Sequence, residues 1–147
     1  VNGSILLAAM YGEGGWIGDG ATKLEWTDEN VRAWSEPWYG RMPNCDDMQW
    51  SAQGPYGLFT NWFNNAVEGG GRHPSRVVNI GGGETRTIVS KCNFIDASYA
   101  AASMLGGIGC NFNEDQARSE LATYRGGAQA DPADVPQYLV DIAVRCQ

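Results

Sequence analysis

The sequence has no apolar run of about 18 residues, so no segment reads as a membrane-spanning helix. It is short of positive charge: 10 Lys and Arg stand against 17 Asp and Glu, a formal net charge of −7. No basic stripe is present to neutralise phosphates, which argues against nucleic acid as a partner. It also argues against steering to an anionic membrane surface. His73 is the single histidine, in Gly71-Arg72-His73-Pro74. A Cys–His peptidase would need a free thiolate beside it, and a Ser–His triad would need a G-x-S-x-G elbow that is missing. Gly81-Gly82-Gly83 lacks the spacing and the Lys-Ser/Thr ending of a phosphate loop. No C-x-x-C pair occurs, so a zinc site is not expected, and no cofactor is assigned. Residues 1–11 lack a basic start and a small-residue cleavage site, which reads as a mature or excised segment.

What is present suits one domain. A chain of 147 residues can bury a real core, and no internal repeat or second domain is visible over 1–147. Cys45, Cys92, Cys110 and Cys146 are an even, widely spaced set. That pattern reads as two disulfides in an oxidising compartment, hence a secreted or periplasmic protein. Three pairings are possible; Cys45–Cys92 with Cys110–Cys146 is preferred. Six tryptophans and six tyrosines accompany 20 glycines. Flat rings on a loop-rich surface suit sugar faces, and they suit a core equally.

Along the chain, residues 4–12 predict a helix capped by Ser4 or Asn2. Residues 14–26 are Gly-rich and polar. Thr27 with Asp28 and Glu29 opens a second helix running to Trp34. Residues 35–55, with Pro37, Pro43 and Pro55, predict a long ordered loop that carries Cys45, Trp38, Tyr39 and Trp50. Gly54-Pro55-Tyr56-Gly57 is a turn leading into an apolar segment in which Trp62 and Phe63 are expected in the core. Arg76–Ile80 and Glu84–Val89 flank a glycine turn and predict a small hairpin. Ala97, Ala100, Ala101, Met104 and Leu105 recur at helical spacing over 94–105, with Gly106-Gly107 as the stop. Asn113 to Gln116 resembles a capping box at the head of a helix ending at Gly126-Gly127. A last helix starts at Asp134-Val135-Pro136 and carries Val135, Leu139, Ile142 and Cys146 on one face. The fold class is α+β, mainly α.

One carboxylate has a distinctive setting. Ile5 to Met10 is an apolar run that stops at Gly12-Glu13-Gly14-Gly15, with Trp16 close behind. A carboxyl at the end of a buried helix beside an indole is where desolvation raises a pKa, so Glu13 is the candidate general acid.

Four elements share an order with a known group of proteins. The first is the helix ending in Glu13. Tyr56-Gly57-Leu58-Phe59 comes next, then the Ala-rich helix, then Thr123-Tyr124-Arg125-Gly126 ahead of a final helix. This order resembles the lysozyme-like superfamily of soluble lytic transglycosylases, goose-type lysozymes and phage-tail lysozymes. The family's catalytic Glu is usually followed by Ser, where this chain has Gly14. Its Gly-Leu-x-Gln strand is matched at Gly57-Leu58 without the Gln, and its Ala-Tyr-Asn-x-Gly motif at Tyr124 without the Asn. The resemblance spans nearly the whole chain, with a longer segment between Glu13 and Gly57 than in many members.

The resemblance implies a lysozyme-like fold with a small β-hairpin and a long ordered loop. It implies cleavage of the β-1,4 bond between N-acetylmuramic acid and N-acetylglucosamine in peptidoglycan glycan strands. Glu13 would be the acid, of lytic transglycosylase type. A hydrolysing muramidase is the alternative; its second carboxylate would stand roughly 6.5–9.5 Å from the acid in an inverting enzyme, with Asp19, Glu25, Asp46 and Asp47 as candidates. A non-catalytic glycan-binding or cell-wall assembly module is the rival from another class. Trp16, Gln53, Tyr56, Gly57, Phe59 and Tyr124 are the expected substrate-binding residues. The chain is expected to act as a monomer or as a domain of a larger protein, with a virion-associated location as a further possibility.

Overall fold

The computed structural model describes residues 2–13, 18–19, 22–48, 52–105, 109–126 and 130–146, with backbone alone for 18, 19, 22 and 23. Trp16, Trp50, Gly14, Gly106, Gly107 and Gly127 of the sequence reading lie outside these residues. Six α-helices and two antiparallel strand pairs are formed among the described residues, so the α+β, mainly helical class holds. None of the described helices is long and apolar enough to cross a membrane.

Helix α1 (Gly3–Glu13) begins at Asn2, whose Oδ1 accepts the Ile5 N–H at 3.0 Å. That satisfies one of the backbone donors a helix start leaves open. Ile5, Ala8 and Ala9 are fully buried. Small alanines let neighbouring helices come close, and α1 lies against α4 (Phe94–Leu105), α5 (Glu114–Gly126) and α6 (Gln137–Ala143). Gly12 continues this: an added Cβ would meet Leu139 Cδ1 at 3.0 Å. The central core is therefore four helices meeting through Ala97, Ala100, Ala101, Leu121, Ala122, Leu139, Val140 and Ala143.

Beyond these are two helices that pack on α4 and two strand pairs. Strands β1 (Gly18–Asp19) and β2 (Thr22–Lys23) pair within a segment that the sequence reads as loop. Helix α2 (Asp28–Ser35) has Thr27 as its cap, with Oγ1 accepting the Asn30 N–H at 3.1 Å, and it packs on α4. Helix α3 (Thr60–Glu68) buries Phe63, Ala66 and Val67 against α4. Strands β3 (Val77–Gly81) and β4 (Glu84–Thr87) form the expected hairpin. Its turn glycines, Gly82 and Gly83, have φ of 61° and 77°, as a two-residue turn with both central residues left-handed requires. Helix α5 starts with a reciprocal box: Gln116 N–H to Asn113 Oδ1 and Asn113 N–H to Gln116 Oε1, each at 2.9 Å.

Two expectations are corrected. Trp62 is 45% exposed, because α3 turns its Phe63 face to the core and leaves Trp62 outside. The last helix is shorter than the spacing suggests. A 3₁₀ turn (Pro132–Asp134) comes first and α6 ends at Ala143, so Cys146 is not on its face. Cys146 instead takes φ of 47° and closes a disulfide with Cys110. The other bridge, Cys45–Cys92, ties the long loop to the head of α4. This is the preferred pairing.

A buried polar network sits at that head. Arg86 Nε donates to Asp96 Oδ1 at 2.9 Å with both side chains buried. Asp96 Oδ2 accepts the Val89 and Ser90 N–H groups at 3.0 and 3.2 Å. Arg86 Nη2 donates to Asn93 Oδ1 at 2.8 Å and to the Ser35 carbonyl at 2.7 Å. Taking two charges out of water is unfavourable unless they are paired and their other sites hydrogen-bonded, as these are. Asp96→Ala should therefore lower stability by about 3–5 kcal/mol, because it leaves Arg86 buried without its counter-charge; equilibrium denaturant unfolding measures this. Reducing the disulfides should cost about 2–5 kcal/mol for each bridge. The check is a thermal melt with and without reductant, alongside thiol titration.

Candidate active site

The three motif segments converge at Glu13. It ends α1 half-buried, and its carboxylate faces the backbone of Gly57. A Cβ added at Gly57 would stand 2.8 Å from Glu13 Oε2 and 3.1 Å from Glu13 Cβ. Gly57 also has φ of 62°. Glycine is thus required there twice, for left-handed backbone and for room beside the acid.

The turn that delivers Gly57 is fastened at its base. Gln53 and Leu58 exchange backbone hydrogen bonds at 3.1 and 3.3 Å, and the Gly57 N–H reaches the Gly54 carbonyl at 3.3 Å. Gly54, at φ of 82°, sits where a Cβ would be 2.4 Å from the Lys91 carbonyl oxygen. The Gln53 side chain is used in the same fastening: its Oε1 accepts the Asp46 N–H at 2.6 Å.

Tyr124, on α5, is buried and donates its hydroxyl to the Tyr56 carbonyl at 2.8 Å. Burial pushes its pKa well above the usual phenol range, and the neighbouring Glu13 charge and Tyr56 add to this. It therefore stays a hydrogen-bond donor throughout the physiological range. Tyr56 is buried too. Ser98 Oγ donates to the Phe94 carbonyl at 2.8 Å, so the 3.1 Å contact between the hydroxyls is a Tyr56 O–H donating to Ser98. Burial raises the Tyr56 pKa and the Ser98 bond opposes the rise. Tyr56 and Tyr124 thus hold the Gly57 turn against α4 and α5, and their rings are core. Phe59 is half-buried at the start of α3, edge-on to Trp62 at 5.9 Å. Trp16 lies outside the described residues.

Burial holds the Glu13 carboxyl above the usual carboxylate range, and the Arg125 guanidinium partly opposes this. The position at a helix C-terminus works in the same direction as burial, because that end is the negative pole of the helix dipole. A half-buried acid that keeps its proton to higher pH, beside a cation that steadies the carboxylate once the proton has gone, can act as a general acid and then accept a proton back.

The sequence reading missed Arg125, since a Tyr-Arg pair carries no distinctive spacing. It also missed the cations that engage the loop carboxylates. Asp47 is ion-paired with Arg41 at 2.7 Å and accepts the Ser90 hydroxyl at 2.8 Å. Asp46 Oδ1 accepts the Met48 N–H at 2.9 Å. Lys91 is buried beside both aspartates and donates to the Met48 carbonyl at 3.3 Å. Burial lowers its pKa, and the two aspartates counter that. Glu25 is exposed, at a shallow pocket of about 210 Å³ shared with Leu24, Asn30, Trp34 and Pro43. The side chain of Asp19 is outside what the structure describes.

Both cysteine pairs are oxidised, so no thiolate is available to exposed His73. Among the described residues no group of His, Cys, Asp or Glu could hold a metal ion. Comparison of the chain with protein-family models, curated proteins and solved structures yields no match.

The raised Glu13 pKa has a consequence for stability. The folded state binds this proton more tightly than the unfolded chain does, so the stabilisation it lends is complete below the ordinary carboxylate pKa. It is lost as pH rises through the folded value. Glu13→Gln removes that dependence. The variant should be at least as stable as the parent at pH 7, with an advantage that shrinks as pH falls through the raised Glu13 pKa and levels off below the ordinary carboxylate value; melts across pH 3–8 measure it.

Proposed function

We propose that this domain cleaves the β-1,4 bond between N-acetylmuramic acid and N-acetylglucosamine in peptidoglycan, with Glu13 as the acid. The observation that carries the reading is the half-buried Glu13, raised in pKa by burial and seated against Gly57, with Tyr124 and Arg125 of α5 beside it. Three segments distant in sequence, each resembling a motif of the lysozyme-like superfamily, meet at that carboxyl. Two disulfides suit the oxidising exterior in which cell-wall polymers are found.

In this reading Glu13 gives its proton to the glycosidic oxygen as the C1–O bond breaks, releasing the N-acetylglucosamine side as an alcohol. The muramic 6-hydroxyl attacks C1, and its proton returns to the Glu13 carboxylate. The product is a 1,6-anhydro sugar, no water is consumed, and the acid ends the cycle protonated. Arg125 steadies the carboxylate between the two transfers. The transglycosylase type is preferred over the hydrolase because Asp47 is held by Arg41 and Ser90, and Asp46 is occupied with the Met48 N–H. A carboxylate fastened in a loop is poorly placed to activate water.

Glu13→Gln should abolish turnover of purified peptidoglycan while the fold survives. Mass spectrometry of the soluble products checks the turnover, and a thermal melt of the variant checks the fold. Anhydro-muropeptides from the parent and none from the variant are the expected result. Products one water heavier would mean hydrolysis. Lytic activity retained by the variant would remove Glu13 from the chemistry, and no products from either protein would leave a glycan-binding module. Turnover by the parent should fall as pH rises through the raised Glu13 pKa, because the acid must be protonated to act.

A further inference from the structure

The buried network at the head of α4 does more than pair two charges. It clamps the neck of a short turn, Pro37-Trp38-Tyr39, that follows α2. Asn93 Nδ2 spends both its hydrogens there, on the Glu36 carbonyl at 2.9 Å and the Gly40 carbonyl at 3.1 Å. Gly40 N–H closes the turn on the Glu36 carbonyl at 2.8 Å. Arg86 holds the preceding Ser35 carbonyl. Gly40 is pressed on the end of α2 so closely that a Cβ would lie 2.5 Å from Glu36 N and 2.6 Å from the Ala33 oxygen. Pro37 fixes its own φ.

So rigid a neck holds up very exposed rings. Trp38 is 61% and Tyr39 83% exposed. Trp38 is also at φ of 72°, a left-handed conformation that costs a bulky residue and that glycine would take freely. Strain of this kind persists only where the surrounding structure over-determines it, as the clamped neck does here, and it clusters at functional sites.

We propose that the exposed Trp38 and Tyr39 side chains, carried on this clamped turn, form a platform that stacks on the pyranose rings of a glycan strand. A net charge of −7 disfavours a nucleic acid or an anionic-lipid partner. Two aromatic side chains offer about 300–500 Å² at most, well under the roughly 800 Å² per side of a stable protein interface, and of the size of one or two sugars. Flat apolar faces with polar edges match pyranose rings, and a locked backbone leaves little ordering to be lost on binding. The choice of a cell-wall glycan rests on the function proposed above; the platform itself does not depend on catalysis.

The test is co-sedimentation with purified peptidoglycan sacculi, in a Glu13→Gln background so that nothing is cleaved. Trp38→Gly and Tyr39→Ser should each weaken retention by about tenfold, and the pair by more. Trp38→Phe and Tyr39→Phe should keep most of it. The melting temperature of Trp38→Gly should equal or exceed the parent's, because glycine accepts the left-handed backbone. Unchanged retention of the double variant, or a background protein that is not retained at all, would overturn the platform. So would losses that track a falling melting temperature, or binding found on zwitterionic vesicles and not on sacculi. Product analysis of the unsubstituted protein beside Glu13→Gln decides Glu13 independently, so either idea can fail without the other.

Discussion

The ion pair between Arg86 and Asp96 is the constraint on which the rest of the structure depends. Asp96 lies in the first turn of α4, and α4 touches α1, α2, α3 and α5. Fixing its head fixes the frame that the other helices share. Arg86 brings β4 to that head, Asp96 gathers the Val89 and Ser90 backbone, and Asn93 reaches both ends of the turn after α2. A low-dielectric interior makes each of these bonds strong and each vacancy costly, so the arrangement has few tolerable alternatives. The neighbouring Cys92 and Lys91 carry the same fixation into the long loop, through the bridge to Cys45 and the bond to Met48.

From that frame the candidate acid centre is assembled at second hand. Ser98, one turn into α4, takes the Tyr56 hydroxyl; the Tyr56 carbonyl takes the Tyr124 hydroxyl; and the turn between them sets Gly57 against Glu13. Neither tyrosine needs to touch a substrate for this. Their hydrogen bonds place a backbone, and the backbone encloses the carboxyl. The electrostatics follow from the enclosure: burial and the end of a helix both favour the neutral acid, and Arg125 limits how far. A centre built this way has a rigid wall on one side of Glu13, which a general acid needs if its proton is to be aimed.

Several features were legible locally because their causes are local. The caps at Thr27 and Asn113, the glycine turn of the β3–β4 hairpin and the alanine stripe of α4 each depend on residues within a few positions of one another. The disulfide pairing was legible as a preference among three. Glu13 stood out because an apolar helix ending at a carboxylate is an unusual local arrangement. Trp62 was misread because apolar character does not tell which side of α3 faces inward once Phe63 beside it competes for the core. The end of α6 was misread because the apolar spacing continues past Ala143, where the helix stops and Cys146 takes left-handed backbone in its bridge to Cys110. Gln53 was singled out by position alone, and nothing in the sequence signals that its side-chain Oε1 accepts the Asp46 N–H.

By itself the sequence determined the helical class, the hairpin, the pairing preference of the cysteines, the acidic balance and the setting of Glu13 at the end of an apolar helix. All of these follow from composition, periodicity and short-range hydrogen bonding. Only the tertiary structure decided that Gly57 and Tyr124 stand against Glu13, that Arg125 tempers it, that Asp46 and Asp47 are held in the loop, and that Trp38 and Tyr39 are held out on a clamped turn. Those relations join residues dozens of positions apart. Desolvation and Coulomb interaction depend on distance in space, and spacing along the chain does not encode it.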